Sequence, residues 1–451
     1  MKGFMKMKRI LACAVWGLLV TMAGAEMTAQ TSWSQRWPWE TRVDIDFELK
    51  GGPKCDVAVT ASFKTNGVPI ALDLEQAGLE GSVWELAPGY HHLAWDPATA
   101  GFDVKVLTDF SVTVSPIENA VDQRAWLVFD VASGAYSYVS AADAPANWKD
   151  AVYMKEKIVF RRIPAGTFTL GYTPEQVQRL RDLSPLDGTT ILTAREVTLT
   201  SDYYISIYQI TGAQIHRINP AASTADATAG YVGDRFRICA GAHCFLRGSN
   251  QVEGVSWPTT KFHVTTNSWM GRFRARSGNR LMFDLPTSAQ WQKAARPDPQ
   301  WFWYNTPEFG GGTVTDTPET LTNVVRTICQ SIKLVETPGS NFYNPPPVPG
   351  TYQPNEWGLC DLIGSRTEAI LDQWESTAVA ARETLDPVGP ASSPKYRMLH
   401  NSFTQGQSFA TWAMPAVSRR DTDHDLDSNT MDCFRLVIHL RPPQSFAGRW
   451  E

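Results

Sequence analysis

The chain has 451 residues, of which 43% are hydrophobic and 19% are charged. These values exclude an intrinsically disordered protein, and the length predicts two or three domains. The formal net charge is only -5, and Lys and Arg form no long run, so we exclude nucleic acid as a partner. With 29 Pro and 32 Gly, we expect many loops and little helix.

The amino terminus has the pattern of a secretory signal peptide. Its positive charges are Lys2, Lys6, Lys8 and Arg9. An apolar run follows at residues 10–22, and the small residues 23–25 form a cleavage site before Glu26. An apolar run of about 13 residues is too short to span a bilayer. We therefore predict a signal peptide at residues 1–25, a secreted or periplasmic protein, and no transmembrane segment in the mature chain.

Cleavage of that peptide would remove Cys13 and leave six cysteines, an even number that permits disulfides in an oxidising compartment. Cys239 and Cys244 are the closest pair in sequence. We predict a local disulfide between them, and a metal or redox pair is the alternative.

Residues 41–117 show the alternation of apolar and polar residues that is typical of strands. Residues 42–49, 57–63 and 104–114 alternate, and Asn66-Gly67 is a hairpin-type turn. This spacing predicts a small, Ig-like β-sandwich domain. Residues 118–156 contain a strand-like stretch and then many Ser, Ala and Pro residues, which predicts a linker.

A series of motifs between residues 158 and 437 resembles, in order, the landmarks of the formylglycine-generating-enzyme-like (sulfatase-modifying factor) family. The opening segment IPAGTFTLG, the segment LPTSAQWQKAAR and the closing segment CFRLV are three of these landmarks. The others lie at residues 195–214, 252–257, 350–368 and 397–403. We therefore predict a domain of this family at residues 157–441. Gln209, Ser288 and Gln290 replace acidic residues that are usual in the family.

The resemblance implies an α+β domain of the C-type-lectin-like kind, with a short sheet, few helices and long loops. The residues themselves support this interpretation at one point. Residues 288–296 form the best helical candidate, with Thr287 or Ser288 as the N-cap and Pro297 as the stop.

The resemblance also implies chemistry that this chain lacks. Family members oxidise a substrate cysteine with O2 and a copper ion held by two cysteines, because thiolates select and hold Cu(I). Gln405 and Ala410 occupy those positions here, so we expect no formylglycine generation. A different oxidation or hydrolysis would use the surrounding pocket, for which Ser402, Trp412 and Arg419 are the candidates.

A structural calcium site is the family chemistry that the residues retain. In relatives the ion is held by two side chains and two backbone carbonyls of one turn, and Asp361, Gly364, Arg366 and Glu368 match those positions. Carboxylate and carbonyl oxygens are the ligands that Ca²⁺ requires. The alternative is a solvated acidic turn without an ion.

Two functional hypotheses remain. The first is a non-catalytic module that binds a peptide, a glycan or a cell-surface partner. The second is a repurposed oxidoreductase of the same superfamily, so whether the chain is an enzyme stays open. The sequence does not indicate the oligomeric state.

Overall fold

The structure is a computed structural model. It describes residues 27–36, 38–102, 107–144, 147–175, 178, 190–191, 194–220, 264, 266–295, 349–350, 354–362, 368–373, 384–388, 395–399, 419–425 and 434–441. The predicted signal peptide at residues 1–25 lies outside this set. No helix in the described part of the chain combines the length and the apolar character needed to cross a bilayer.

The N-terminal part is a region of antiparallel sheet. Its strands are β1 (Thr28–Gln35), β2 (Val43–Lys50), β3 (Asp56–Thr65), β4 (Val68–Asp73), β5 (Gly89–Trp95) and β6 (Thr108–Ile117), with a 3-10 helix at Pro97–Ala100. They form two three-stranded sheets, ordered β1-β2-β5 and β4-β3-β6. The alternation in β2 buries every second side chain, as predicted from its sequence.

The predicted turn at Asn66-Gly67 is confirmed. Both residues have left-handed φ values, 52° and 79°. Thr65 pairs with Val68, so these two residues alone connect β3 to β4. Asn and Gly tolerate this conformation, which matches the twist of a tight hairpin.

An aromatic core joins the two N-terminal sheets. The ring centroid of the fully buried Trp95 in β5 lies 5.9 Å from that of Phe63 in β3 and 6.1 Å from that of Phe110 in β6. Aromatic packing of this kind contributes about 1 kcal/mol per pair beyond the burial of apolar area. Aromatic side chains from both sheets therefore share one core.

The remaining strands are β7 (Trp126–Asp130), β8 (Tyr136–Val139), β9 (Lys157–Ile163), β10 (Gly166–Leu170), β11 (Thr190–Ile191), β12 (Arg195–Leu199), β13 (Tyr203–Ser206), β14 (Met282–Asp284), β15 (Glu368–Gln373), β16 (Lys395–Leu399), β17 (Arg419–Asp425) and β18 (Val437–His439). They form a six-stranded sheet ordered β14-β18-β13-β9-β7-β8, a four-stranded sheet ordered β11-β17-β16-β15, and the pair β10-β12. The helices are short: α1 (Ala120–Gln123), α2 (Val152–Lys155), α3 (Gly212–Ile218), α4 (Trp269–Arg276) and α5 (Ser288–Ala295). The described part of the chain is mostly sheet with few helices, which fits the predicted α+β class at a coarse level.

The segment predicted to be a linker, residues 118–156, contributes two strands to the six-stranded sheet. β7 pairs with β8 on one side and with β9 on the other. Leu127 and Phe129 of β7 are fully buried, and the Phe129 ring centroid lies 5.0 Å from that of Phe283. Because this apolar face enters the core, the start of the segment is part of the folded domain.

The predicted helix at residues 288–296 is confirmed as α5. Its N-cap is Thr287, whose hydroxyl accepts a hydrogen bond from the Gln290 backbone N–H at 3.1 Å. The Gln290 side chain accepts in return from the Thr287 N–H at 2.9 Å. This is a capping box, in which Gln serves as well as Glu. The replacement of an acidic family residue at position 290 therefore preserves the start of the helix.

Gly134 in the turn between β7 and β8 lies against the end of α4. Its φ is +78°, and a Cβ atom there would lie 1.8 Å from the Arg276 backbone oxygen. We expect Gly134→Ala to lower the free energy of unfolding by about 2–5 kcal/mol, because it adds left-handed strain to a clash with backbone. Urea denaturation measures this loss.

Gly67 is the matched control for this prediction. Its φ is +79°, yet a Cβ atom would meet nothing within 4 Å. Gly67→Ala should therefore cost only about 1–2 kcal/mol, the left-handed strain alone. If the two variants lost the same free energy of unfolding, the clash with Arg276 would contribute nothing to the loss.

Candidate functional site

Glu368, the first residue of β15, is the centre of a fully buried polar cluster. Its carboxylate accepts hydrogen bonds from Gln209 Nε2 at 2.6 Å and from Trp291 Nε1 at 2.6 Å. Arg435 Nε lies 3.0 Å from Oε1 and 3.2 Å from Oε2. Four distant segments of the chain therefore meet at one carboxylate.

Three N–H donors surround the Glu368 carboxylate. An ionised carboxylate offers about four lone-pair directions, and the single Arg435 Nε–H is shared between its two oxygens. The Arg435 guanidinium neutralises the charge and also donates to the Ile207 carbonyl oxygen at 2.8 Å. Glu368 forms a buried ion pair with Arg435 in this arrangement, and its role as a calcium ligand stays a prediction.

Asp361 is the other predicted calcium ligand with a carboxylate. It is buried with a left-handed φ of 56°, and its Oδ2 accepts a hydrogen bond from the Gly350 backbone N–H at 2.5 Å. Gly364 and Arg366, the predicted carbonyl ligands, lie outside the described residues. Among the residues that are described, no group of three or more His, Cys, Asp or Glu side chains could hold a metal ion. Calcium binding at this turn stays a prediction.

Most of the predicted catalytic pocket falls outside the described part of the chain. The residues concerned are Ser402, Gln405, Ala410 and Trp412, together with the cysteine pair Cys239 and Cys244. The backbone of Arg419 is described: it begins β17 and pairs with Ile191 of β11. The predicted pocket and the predicted disulfide therefore stay predictions.

The two described cysteines, Cys55 and Cys360, are free thiols. Burial and, after it, the neighbouring Asp361 carboxylate raise the pKa of Cys360 to about 12. Burial and the adjacent Asp56 also raise the pKa of Cys55. Reactive or metal-binding cysteines require the thiolate form. Both side chains are protonated at neutral pH and do not behave as reactive thiolates.

A large cleft lies where the N-terminal sheet region meets the rest of the fold. Its volume is about 960 Å³, at the upper end of the range for small-molecule sites. Its lining combines apolar and aromatic side chains with acidic and amide side chains. The lining includes Leu79, Trp84, Phe102, Asp73, Gln76 and Glu80. Residues 278–280 close the opposite wall, so both parts of the protein form the cleft.

Glu75 is the buried acidic group of this cleft. Its carboxylate accepts hydrogen bonds from the Tyr138 hydroxyl at 2.6 Å and the Tyr136 hydroxyl at 3.1 Å, and Arg124 NH2 lies 3.2 Å away. Burial raises the pKa of Glu75, and the positive charge of Arg124 opposes that rise. Because these partners lock the side chain, Glu75 shapes a rigid wall for the cleft.

The sequence did not predict the cleft. Its walls come from residues 71–102, from Tyr136 and from residues 278–280, which are far apart along the chain. The only hint was the high aromatic content, because Tyr and Trp combine an apolar ring with a polar group and are frequent at binding surfaces. That content does not say which rings meet.

Comparison with known proteins places these features in context. A family model described as the sulfatase-modifying factor enzyme 1-like domain matches residues 148–440, more than half of the chain. A search of curated proteins found no match. The matched range contains all four residues of the Glu368 cluster, and the N-terminal sheet region lies outside it.

Proposed function

The chain belongs to the sulfatase-modifying factor enzyme 1-like family, and from this premise we propose that it is a non-catalytic member that binds a peptide or a glycan. The observation that carries this proposal is the presence of Gln405 and Ala410 at the two copper-binding cysteine positions. Neither side chain holds Cu(I) as a thiolate does. The protonated thiols of Cys55 and Cys360 give further support, since neither offers a replacement ligand.

We propose the cleft at the junction as the binding site. Its size suits a short oligosaccharide or a few peptide residues, and its lining combines acidic and amide groups with aromatic rings. Binding sites of this kind combine apolar surface with a few polar groups that set orientation. This cleft shares no residue with the Glu368 cluster, so binding there does not disturb the core of the family domain.

We also propose a fold type for each of the two parts of the chain. We propose a C-type-lectin-like fold for the family domain, supported by its short helices and small sheets. For the N-terminal region we propose an Ig-like sandwich, supported by the two sheets that share the Trp95 core.

We also propose that the protein is exported. The charged, apolar and small-residue zones of residues 1–25 support this, because together they form the pattern that the secretion machinery reads. Amino-terminal sequencing of protein recovered from outside the cytoplasm should begin at Glu26. Retention of Met1 in that fraction would contradict the proposal.

Metal analysis together with O2 uptake tests the absence of catalysis. We expect the purified protein to contain no copper and no iron, and to consume no O2 above background with cysteine-containing peptides. One equivalent of copper or iron with O2 uptake would overturn the proposal in favour of a repurposed oxidoreductase. The same metal analysis measures calcium, whose binding near Asp361 stays a prediction.

Binding arrays test the other half of the proposal. The full chain should bind a subset of immobilised glycans or peptides saturably, and Asp73→Ala combined with Glu80→Ala should weaken that binding at least about tenfold. Glu48→Ala is the matched control, because it removes a surface carboxylate that does not line the cleft. Equal weakening by the control would place the binding elsewhere.

A further inference from the structure

Arg161 in β9 has a guanidinium group that contacts two indole rings and no acid. Its Cζ lies 4.7 Å from the ring centroid of Trp126 and 5.3 Å from that of Trp357. Within the described part of the chain the guanidinium makes no ion pair and no hydrogen bond, and its Nε is buried without an acceptor. Cation–π contacts use the charge of the group but leave its N–H donors unpaired.

The fold holds these three side chains together from separate segments. Trp126 of β7 and Arg161 of β9 are direct partners across two paired strands. Trp357 lies in the turn of residues 354–358, where its backbone N–H donates to Asn355 Oδ1 at 3.1 Å. Gly358 has a φ of +82°, and a Cβ atom there would lie 2.7 Å from the Trp126 ring. Glycine is therefore required for this turn to close onto Trp126.

Both indole rings also have an unpaired donor. Trp126 Nε1 and Trp357 Nε1 are buried and have no hydrogen-bond partner among the residues that the structure describes. A buried donor without a partner costs about 1–3 kcal/mol, and such groups are rare in folded proteins. Three of them occur around one cation, so no acceptor among the described residues reaches these donors, and the Asp122 carboxylate acts on Arg161 only through space.

The terminal nitrogens of Arg161 are the accessible donors. Arg161, Trp126 and Trp357 are each partly exposed, and NH1 and NH2 of Arg161 are not among the buried, unpaired atoms. The aromatic surface continues beyond them, because the Trp148 ring centroid lies 5.9 Å from that of Trp126, and Tyr153 packs on Trp148 at 4.9 Å. A ligand that reaches Arg161 would rest its apolar body on these rings.

We propose that Arg161, Trp126 and Trp357 form a binding site for the carboxylate group of a small organic acid. The guanidinium presents two parallel N–H donors in a plane, which matches a carboxylate better than it matches other acceptors. The indole rings beside it exclude water and strengthen the charged hydrogen bonds. This site is separate from the junction cleft and does not depend on the proposed function.

Titration of the full chain with sodium glucuronate tests this site, with glucose as the neutral counterpart. The indole N–H signals are observed by NMR. The variants Trp126→Phe and Trp357→Phe identify which two signals belong to these side chains, because each variant lacks one of them. We expect both signals to shift saturably with glucuronate and not with glucose. The absence of a saturable shift with glucuronate, or an equal shift with glucose, would overturn the proposal.

Arg161→Gln should weaken glucuronate binding at least about tenfold, because the planar pair of charged hydrogen bonds is lost. Arg36→Gln is the matched control: its guanidinium is engaged by Asp44 and Glu40 at the surface, so its loss should leave binding unchanged. Unaltered affinity in Arg161→Gln would refute the site. Should that variant fail to fold, Arg161→Lys carries the test, because lysine keeps the positive charge but loses the planar pair of N–H donors and should also weaken binding.

Discussion

Replacement of Glu368 with glutamine should lower the free energy of unfolding by about 3–5 kcal/mol, the usual effect of removing one partner of a buried ion pair. Glu368 and Arg435 are both fully buried, so the uncompensated guanidinium would stay in the core. An amide also presents two N–H donors of its own. Arg435, Trp291 and Gln209 all donate to this position, so at least one of their N–H groups would point at an N–H group of the new amide.

Chemical denaturation followed by intrinsic fluorescence measures this loss. Glu48→Gln is the control, because it makes the same chemical change in a carboxylate paired with Lys50 at the surface. Exposed pairs contribute about 0–1 kcal/mol, so the control should have nearly wild-type stability. A loss below about 1 kcal/mol for Glu368→Gln would show that the cluster tolerates a neutral residue, contrary to the argument from its donors.

Asp56→Ala should be as destabilising, by about 3–5 kcal/mol, and should act on the junction between the two parts of the protein. Asp56 begins β3 of the N-terminal sheet region, and its buried carboxylate accepts from both terminal nitrogens of Arg162 in β9, at 2.6 and 3.2 Å. Arg162 Nε donates in turn to Asp202 at 2.8 Å. Loss of Asp56 would leave half of this buried guanidinium without acceptors.

Two measurements test the expected effect of Asp56→Ala. Its denaturation midpoint should fall, and limited proteolysis should cut the chain near residues 118–124 faster than in the wild type, because the junction opens more often. Asp109→Ala is the control, since Asp109 pairs with Lys64 at the surface. If Asp56→Ala and the control had equal effects, the ion pair would not hold the junction together.

This junction bears on the role of the N-terminal region. Glu85 of that region accepts from the Asp202 backbone N–H at 3.1 Å, and Lys54 Nζ donates to the Thr200 carbonyl oxygen at 3.2 Å. The core cluster is also continuous from Val43 in β2 to Phe434 before β18. A region attached in this way forms a wall of the proposed binding cleft.

Local features of this protein could be predicted from the sequence. The turn at Asn66-Gly67, the alternation of β2 and the capping box of Thr287 and Gln290 each depend on contacts within a few residues, so short patterns contain the necessary information. The ordered landmarks identified the family for the same reason, because each is a short local motif.

Only the tertiary structure decided which side chains meet. The sequence did not indicate that residues 209, 291 and 435 donate to the Glu368 carboxylate. Residues 118–156 had the composition of a linker, yet β7 entered the six-stranded sheet because Leu127 and Phe129 are needed in the core. The cleft and the Arg161 cluster likewise join segments far apart in sequence. Short patterns determine local backbone geometry, whereas long-range packing determines which charges and donors find partners.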